Sequence, residues 1–363
     1  MKFQHKLSVA AAIALAVSAL AGSPAQAQAE LMGPLRIRDM TPFNILRLDM
    51  IPAHAVTGGP GSWAIEAEIS RANTFVMSDN VGAYLERRPT HGPLRQSDAE
   101  AILDLGEDSY YVDGEVTELD LTFHYGLTRR SSVYLTLPAY DFGGGFLDGT
   151  VERFHDAFGF DSQGRDLVAR DRFQAVVALG NGRAAFLEPP VATGVGDPVV
   201  GVRHSWPLRN SHWTLVADGA AKLALRGERP FLSTGSNDFG LQTSLQGKFR
   251  RQGIYLSTSV VRTDGRVLGV PIGSRVVPTV TAAYEVGVTR QTNVILQLYA
   301  SESAIRDTSI DQIKENKYQA SLGLRSRRGR LLYGIAVTEN VANFENTPDV
   351  GVSLTLAWLS LRP

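Results

Sequence analysis

The chain has 363 residues, 36 Lys and Arg against 37 Asp and Glu, and no cysteine. Disulfides and thiolate metal sites are therefore excluded, and a formal charge of −1 without a long basic tract argues against a nucleic-acid partner. The near-neutral mean hydropathy would disqualify a helical membrane protein but is ordinary for a membrane barrel, where lipid-facing and interior residues alternate.

The first 29 residues read as a cleaved signal peptide. Lys2, His5 and Lys6 precede an apolar run from Leu7 to Leu20, and Ala25-Gln26-Ala27 and Ala27-Gln28-Ala29 are overlapping cleavage motifs. Residues 30–62 carry Pro34, Pro42, Pro52 and Pro60 with little periodicity. Prolines at that density exclude a long helix or a central strand. An extended segment in the periplasm, or tucked into a barrel mouth as a plug, is expected there.

From Trp63 onward, short alternating strands are predicted near 63–70, 115–127, 131–140, 195–206, 212–225, 237–250, 254–263, 276–288, 293–301, 317–326, 331–338 and 350–360, about twelve in all. The second strand shows both faces: Leu119, Leu121, Phe123, Tyr125 and Leu127 on one side, Glu118, Asp120, Thr122 and His124 on the other. Connections alternate between short ones, such as Thr128-Arg129-Arg130, and long ones, such as 71–114 and 141–194. Tight turns on one rim and long loops on the other describe an all-β, antiparallel, up-and-down transmembrane barrel occupying residues 63–363, with the bacterial outer membrane as its location. A soluble sandwich would not sort its connections by length, and only closure removes unpaired edges in lipid. A further hairpin over 173–187 leaves the count open by two. Trp63, Trp206, Trp213, Tyr284 and Trp358 suit interfacial girdles.

By strand parity Glu118, Asp120, His124, Asp197, Arg203, Asp218, Lys222, Asp238, Lys248, Glu285 and Arg325 are the candidates for lining the lumen. A mixed-charge pore that filters small solutes and a packed interior that passes nothing fit this row equally. In the longest loop, Leu147, Val151, Phe154 and Phe158 recur at helical spacing. An amphipathic helix over 146–160 is expected, either as a constriction or as a surface helix burying one face. Arginines in the short turns either meet anionic headgroups or are simply solvated.

Catalytic and metal signals are poor. His204 has lipid-facing parity, where a lipid-cleaving base would sit, but its neighbour Ser205 faces the other way. No two histidines stand at ligand spacing, and the glycine clusters Gly143-Gly144-Gly145 and Gly194-Val195-Gly196-Asp197 lack the ending of a phosphate loop. No catalytic residue, metal or cofactor is assigned.

Several motifs carry a resemblance: Gly33-Pro34-Leu35-Arg36-Ile37-Arg38-Asp39-Met40-Thr41-Pro42-Phe43, Asp113-Gly114-Glu115, Tyr125-Gly126-Leu127-Thr128-Arg129-Arg130, Phe154-His155-Asp156-Ala157-Phe158-Gly159 and Val195-Gly196-Asp197. In this order they resemble one of the domain-of-unknown-function families of Gram-negative outer-membrane proteins, over nearly all of the mature chain. Ala224-Leu225-Arg226-Gly227 departs from the Pro-Thr-Gly loop usual there. The resemblance implies an outer-membrane barrel and supplies no activity. A passive channel or small-solute uptake protein is the leading expectation. A non-conducting structural or binding barrel acting through its outer loops is second, and a lipid-modifying enzyme third. Expected partners are outer-membrane lipids and lipopolysaccharide, the barrel-assembly machinery and a small solute.

Overall fold

The structure is a computed structural model that describes residues 30–52, 59–106, 108–149, 152–153, 164–180, 182–209, 212–306, 308–343 and 347–360. The expected signal peptide, with Val151, Phe154 and Phe158 of the expected loop helix, lies outside the described residues. Strand β1 (Trp63–Met77) leads through helices α1 (Asp79–Glu86) and α2 (Gln96–Asp104) to β2 (Ser109–Gly126) and β3 (Ser131–Gly143). The long second loop holds β4 (Gln174–Leu179), β5 (Gly182–Phe186) and β6 (Thr193–Val195). Then come β7 (Val199–Pro207), β8 (Trp213–Lys222), the small pair β9 (Glu228–Arg229) and β10 (Ser233–Thr234), β11 (Asp238–Phe249) and β12 (Gln252–Thr263). A second small pair, β13 (Arg266–Val267) and β14 (Val270–Pro271), precedes β15 (Arg275–Gly287) and β16 (Thr292–Ser301). Helix α3 (Asp311–Lys314), β17 (Lys317–Arg328), β18 (Leu331–Ala342) and β19 (Val350–Leu359) complete the order.

Twelve of these strands, β1–β3, β7, β8, β11, β12 and β15–β19, form one antiparallel wall. The ring closes where β19 pairs with β1, from Ala64↔Leu359 to Asn73↔Val350. Every backbone donor and acceptor along that seam finds a partner, which a bilayer requires. Leu119, Phe123, Leu241, Val280, Leu354 and Leu356 are exposed on the outside, while Glu118, Asp120, Asp218, Gln242, Glu285 and Gln297 are buried within. No helix among the described residues is long and apolar enough to cross a membrane; the strands form the wall.

The short turns repeat one device. In two of them a threonine hydroxyl accepts the next backbone N–H groups: Thr128 from Arg130 and Ser131, and Thr289 from Gln291 and Thr292. All four tryptophans, Trp63, Trp206, Trp213 and Trp358, sit at strand ends on this rim. That is the water–lipid boundary favoured by a ring with an apolar body and one N–H. In outer-membrane barrels the short-turn rim is the periplasmic one.

At the long-loop rim the structure corrects several boundaries. β1 and β2 stay paired up to Met77↔Tyr111, beyond the expected 70 and 115. Residues 109–116 are buried without interruption, so the alternation that marks a half-exposed strand vanishes there. The 173–187 hairpin exists as β4 and β5, but β4 pairs with the top of β2 (Ser109↔Ala178 to Asp113↔Gln174) and adds no wall strand. The expected strand 195–206 is interrupted. Val195 pairs with Ala139 and Val199 with Thr136, so Gly196-Asp197-Pro198 face only Leu137-Pro138. This is a bulge whose two prolines cannot donate to the ladder.

α1 and α2 were not expected. They bury Val81, Leu85, Ala99 and Ile102 with Leu94 against Phe75, Tyr111 and Val176. Across the mouth a larger apolar cluster joins Phe142, Phe173, Phe231, Val267, Val270 and Ile305 to residues Met40 to Leu46. Phe231 is its hub, with ring centroids 5.0 Å from Phe142, 5.2 Å from Phe173 and 5.1 Å from Phe186.

Candidate functional site: a charge-lined lumen filled by the N-terminal segment

Residues 31–50 lie buried inside the ring. The segment rises from the short-turn end, turns under the outer apolar cluster near 41–47, and descends again. Pro34 and Pro52 lie in its extended limbs and Pro42 opens the turn at 41–47, so the segment pairs with no strand of the wall. Its backbone groups must therefore be satisfied by wall side chains, which explains the polar interior.

At the short-turn end Glu285 accepts the backbone N–H groups of Met32 (2.7 Å) and Gly33 (3.1 Å), with Tyr255 also donating (2.5 Å). Arg325 donates through Nη1 to the carbonyls of Pro34 (2.7 Å), Gly33 (3.3 Å) and Met32 (3.4 Å). Midway, Arg36 meets Glu66 at 3.2 Å and donates to Thr122 Oγ1 at 3.2 Å. Arg38 binds Glu118 Oε1 at 2.8 Å and, through Nη2, the carbonyls of Ile45 and Arg47 at 2.7 Å each. One guanidinium thus ties the ascending limb to the wall and to the returning limb.

Towards the outer mouth Asp39 pairs with Lys317 at 2.6 Å, both side chains almost fully buried. Lys222 donates to the carbonyl of Leu46 (2.8 Å) and to Thr234 Oγ1 (2.9 Å), and pairs with Asp238 (2.9 Å). Asp238 in turn accepts the N–H of Leu48 at 2.8 Å. On the way down Tyr299 donates to Asp49 (2.9 Å) and Gln242 to the carbonyl of Met50 (2.9 Å). Two wall glycines make room: a Cβ on Gly240 would lie 2.5 Å from Met50 Sδ, and one on Gly323 would lie 2.6 Å from Leu35 Cδ2.

Of the residues singled out from parity, Glu118, Lys222, Asp238, Glu285 and Arg325 contact the segment directly. Arg203 and Asp218 instead pair with each other (2.7 Å), and Tyr134 donates to the same carboxylate (2.9 Å). His124 stands 3.4 Å from Glu66. Asp120 borders a cavity of about 40 Å³ with Arg36, Arg38, Tyr134, Tyr140 and Arg203. Lys248 is half-buried near the short-turn end. A second cavity, about 210 Å³, lies between the segment and the short-turn ends of the wall, bordered by Met32, Arg36, Trp63, His124, Arg325 and Leu332. Leu147 is buried at the top of the lumen and donates its N–H to Glu115.

The inward residues Glu66, Glu68, Asn293, Tyr299 and Lys317 are not among the residues singled out from the sequence. Strand parity would have found each of them. Lys317 heads the alternation Lys317, Gln319, Ser321 and Arg325, all buried. His204, on the outer wall, does have a hydroxyl partner, though not Ser205: Nδ1 lies 2.8 Å from Ser131 Oγ, and the imidazole lies against Trp206, ring centroids 4.3 Å apart and planes tilted by 51°. Ser205 turns inward and donates to the carbonyl of Arg130.

Comparison with solved structures supports the fold. The chain is similar to the COG4313 outer membrane channel from Pseudomonas putida F1, at 13% identity and a TM-score of 0.51, over 86% of this chain and 100% of that one. The NanC porin aligns at 8% identity and a TM-score of 0.41, over 83% of this chain and 100% of that one. The Pseudomonas putida toluene transporter TodX aligns at 7% identity and a TM-score of 0.37, over 83% and 90%. At 13% identity the likeness to the first of these is one of fold alone, that of an outer-membrane barrel. No curated protein matches the chain in sequence. Residues 95–358, from the second helix to the last strand, match the family model described as protein of unknown function, DUF3187, and the chain belongs to that family.

Proposed function

We propose that the protein is an outer-membrane passive channel for small solutes whose N-terminal segment is its gate. One observation carries this reading: the lumen is filled by a segment of the chain whose apolar residues Leu35, Ile37, Leu48 and Met50 pack on the wall, and whose charges and backbone are held by ion pairs and hydrogen bonds. The neutral hydrogen bonds among these contacts can be exchanged for water and solute at about 0.5–1.5 kcal/mol each. The cavity beside Arg36 and Arg325 supplies a hydrated approach from the short-turn end. Outer-membrane lipids surround the wall and the barrel-assembly machinery inserts it.

The absence of native cysteine makes the test clean. In planar bilayers the mature chain gives discrete conductance steps, altered by Asp218→Ala or Lys222→Ala. The double variant Leu35→Cys/Gly323→Cys, chosen because these positions touch, is silent when oxidised and conducts when reduced. Folded protein that stays silent, with and without residues 31–50, rules the channel out.

A second reading is favoured by the apolar cluster across the mouth: a non-conducting barrel whose outer loops bind a partner. Deleting residues 146–160 would then abolish binding while leaving the barrel folded.

A further inference from the structure

The outward side chains of most wall strands are large: Leu119 and Phe123 on β2, Leu256 and Val260 on β12, Leu354 and Leu356 on β19. On β8 the outward row above Leu215 is Ala217, Gly219 and Ala221. The strands on either side of β8 raise Val200 and Val202 on β7 and Phe239 and Leu241 on β11, all exposed. The result is a shallow, open trough on the lipid-facing wall with Gly219 and Ala221 at its floor, part of a depression of about 860 Å³ whose lining reaches from Val133 on β3 to Val276 on β15. Its flanking strands stand roughly 10 Å apart, twice the inter-strand spacing.

Gly219 has no local reason to be glycine. Its φ is not in the left-handed region, and an added Cβ would meet only Leu241 Cδ2 at an ordinary 3.5 Å. The inward glycines differ, because each is filled by a neighbour: Gly201 by the ring of Tyr134 and Gly240 by Met50. The trough is thus open towards lipid and is not a by-product of interior packing.

Arg262, on β12 just beyond the Phe239 ridge, borders the same outer-wall surface at its long-loop end. It is the last outward residue of β12, exposed, and its Nε donates to Ser274 Oγ at 3.2 Å. Among the described residues its guanidinium forms no ion pair, so both terminal nitrogens can reach an anion. A cation beside an apolar trough, across the single ridge of β11, matches a lipid with a phosphate head and several acyl chains, because guanidinium binds phosphate bidentately. The long-loop rim faces the outer leaflet, whose anionic acylated lipid is lipopolysaccharide. We propose that this trough is a docking site for the lipid A part of lipopolysaccharide, with acyl chains along β8 and a phosphate on Arg262.

The test uses the purified mature chain in detergent, with lipid A or phosphatidylglycerol added, and native mass spectrometry to count retained lipid. Wild type should retain lipid A. Gly219→Leu, which fills the trough, and Arg262→Glu, which reverses its charge, should each lower the retained fraction at least tenfold. Ala67→Leu, outward on β1 away from the trough, should match wild type. Heat-modifiable gel migration checks folding, and Ala221→Leu replaces Gly219→Leu if that variant does not fold. Wild-type protein that retains no lipid A, variants that retain as much as wild type, or equal retention of phosphatidylglycerol would each overturn the proposal.

Discussion

Arg38→Ala is the most informative single change. The substitution removes the ion pair with Glu118 at 2.8 Å and the two carbonyl contacts at 2.7 Å, so the two limbs of the segment lose their common tie. It also leaves Glu118, 2% exposed, without its counter-charge. Removing one partner of a buried ion pair costs about 3–5 kcal/mol. At about 1.4 kcal/mol per tenfold change, the ratio of released to docked segment should rise roughly 10²- to 4 × 10³-fold. The assay is modification of Leu46→Cys, the only thiol in the chain, by a membrane-impermeant maleimide, read beside single-channel open probability. Both should increase with Arg38→Ala. Adding Glu118→Gln should recover part of the effect, because the stranded charge is then gone. Folded Arg38→Ala protein with unchanged labelling and conductance would refute the view that this contact holds the lumen shut.

Phe231→Ala should loosen the outer cap. Loss of a buried phenyl costs about 3–5 kcal/mol, and amide exchange in residues 173–179 should accelerate while the strands near the short turns stay protected. Lys317→Met strands the buried Asp39 carboxylate, so thermal stability should fall more than it does for Lys314→Met, whose half-buried lysine pairs with an exposed Asp311. At the outer surface the Asp108 carboxyl lies below its ordinary value. Partial burial raises it, but the hydroxyls of Ser309 and Thr308 and the Ser309 N–H lower it further. A depressed carboxylate stabilises above its unfolded value and ceases to as pH falls through the folded one. The protection factor of the Ser309 amide, its exchange relative to the intrinsic rate at each pH, should therefore fall on acidification below the normal carboxylate range and stay constant towards neutrality, and Asp108→Asn should remove that dependence.

Where lipid meets one face and water the other, the sequence was readable, because period-2 alternation reports two different solvents. All twelve wall strands were located this way, and the hairpin that became β4 and β5 was seen as well. Legibility failed where both faces meet protein. Ser109 to Gly114 are buried throughout and look structureless to a pattern reader, as did α1 and α2, which bury only one or two turns each. The lumen residues were partly legible for the same reason. Parity assigns Glu118, Lys222 and Glu285 to the interior but cannot say what they touch. Their partners lie from 80 to 253 positions away in the chain, inside a proline-spaced segment with no periodicity of its own.

The position of that segment has a consequence for biogenesis. The ring is completed by a joint between its first and last strands, and the residues held within it precede the first of them. A cylinder sealed early would confront the tip of the segment with a long polar passage ending beneath an apolar lid. Insertion while the joint is still parted avoids that passage and gives the acidic inner surface of β1 and β2 its arginine counter-ions before lipid surrounds it. The leading end of the chain would then serve as the mandrel around which the cylinder is drawn shut.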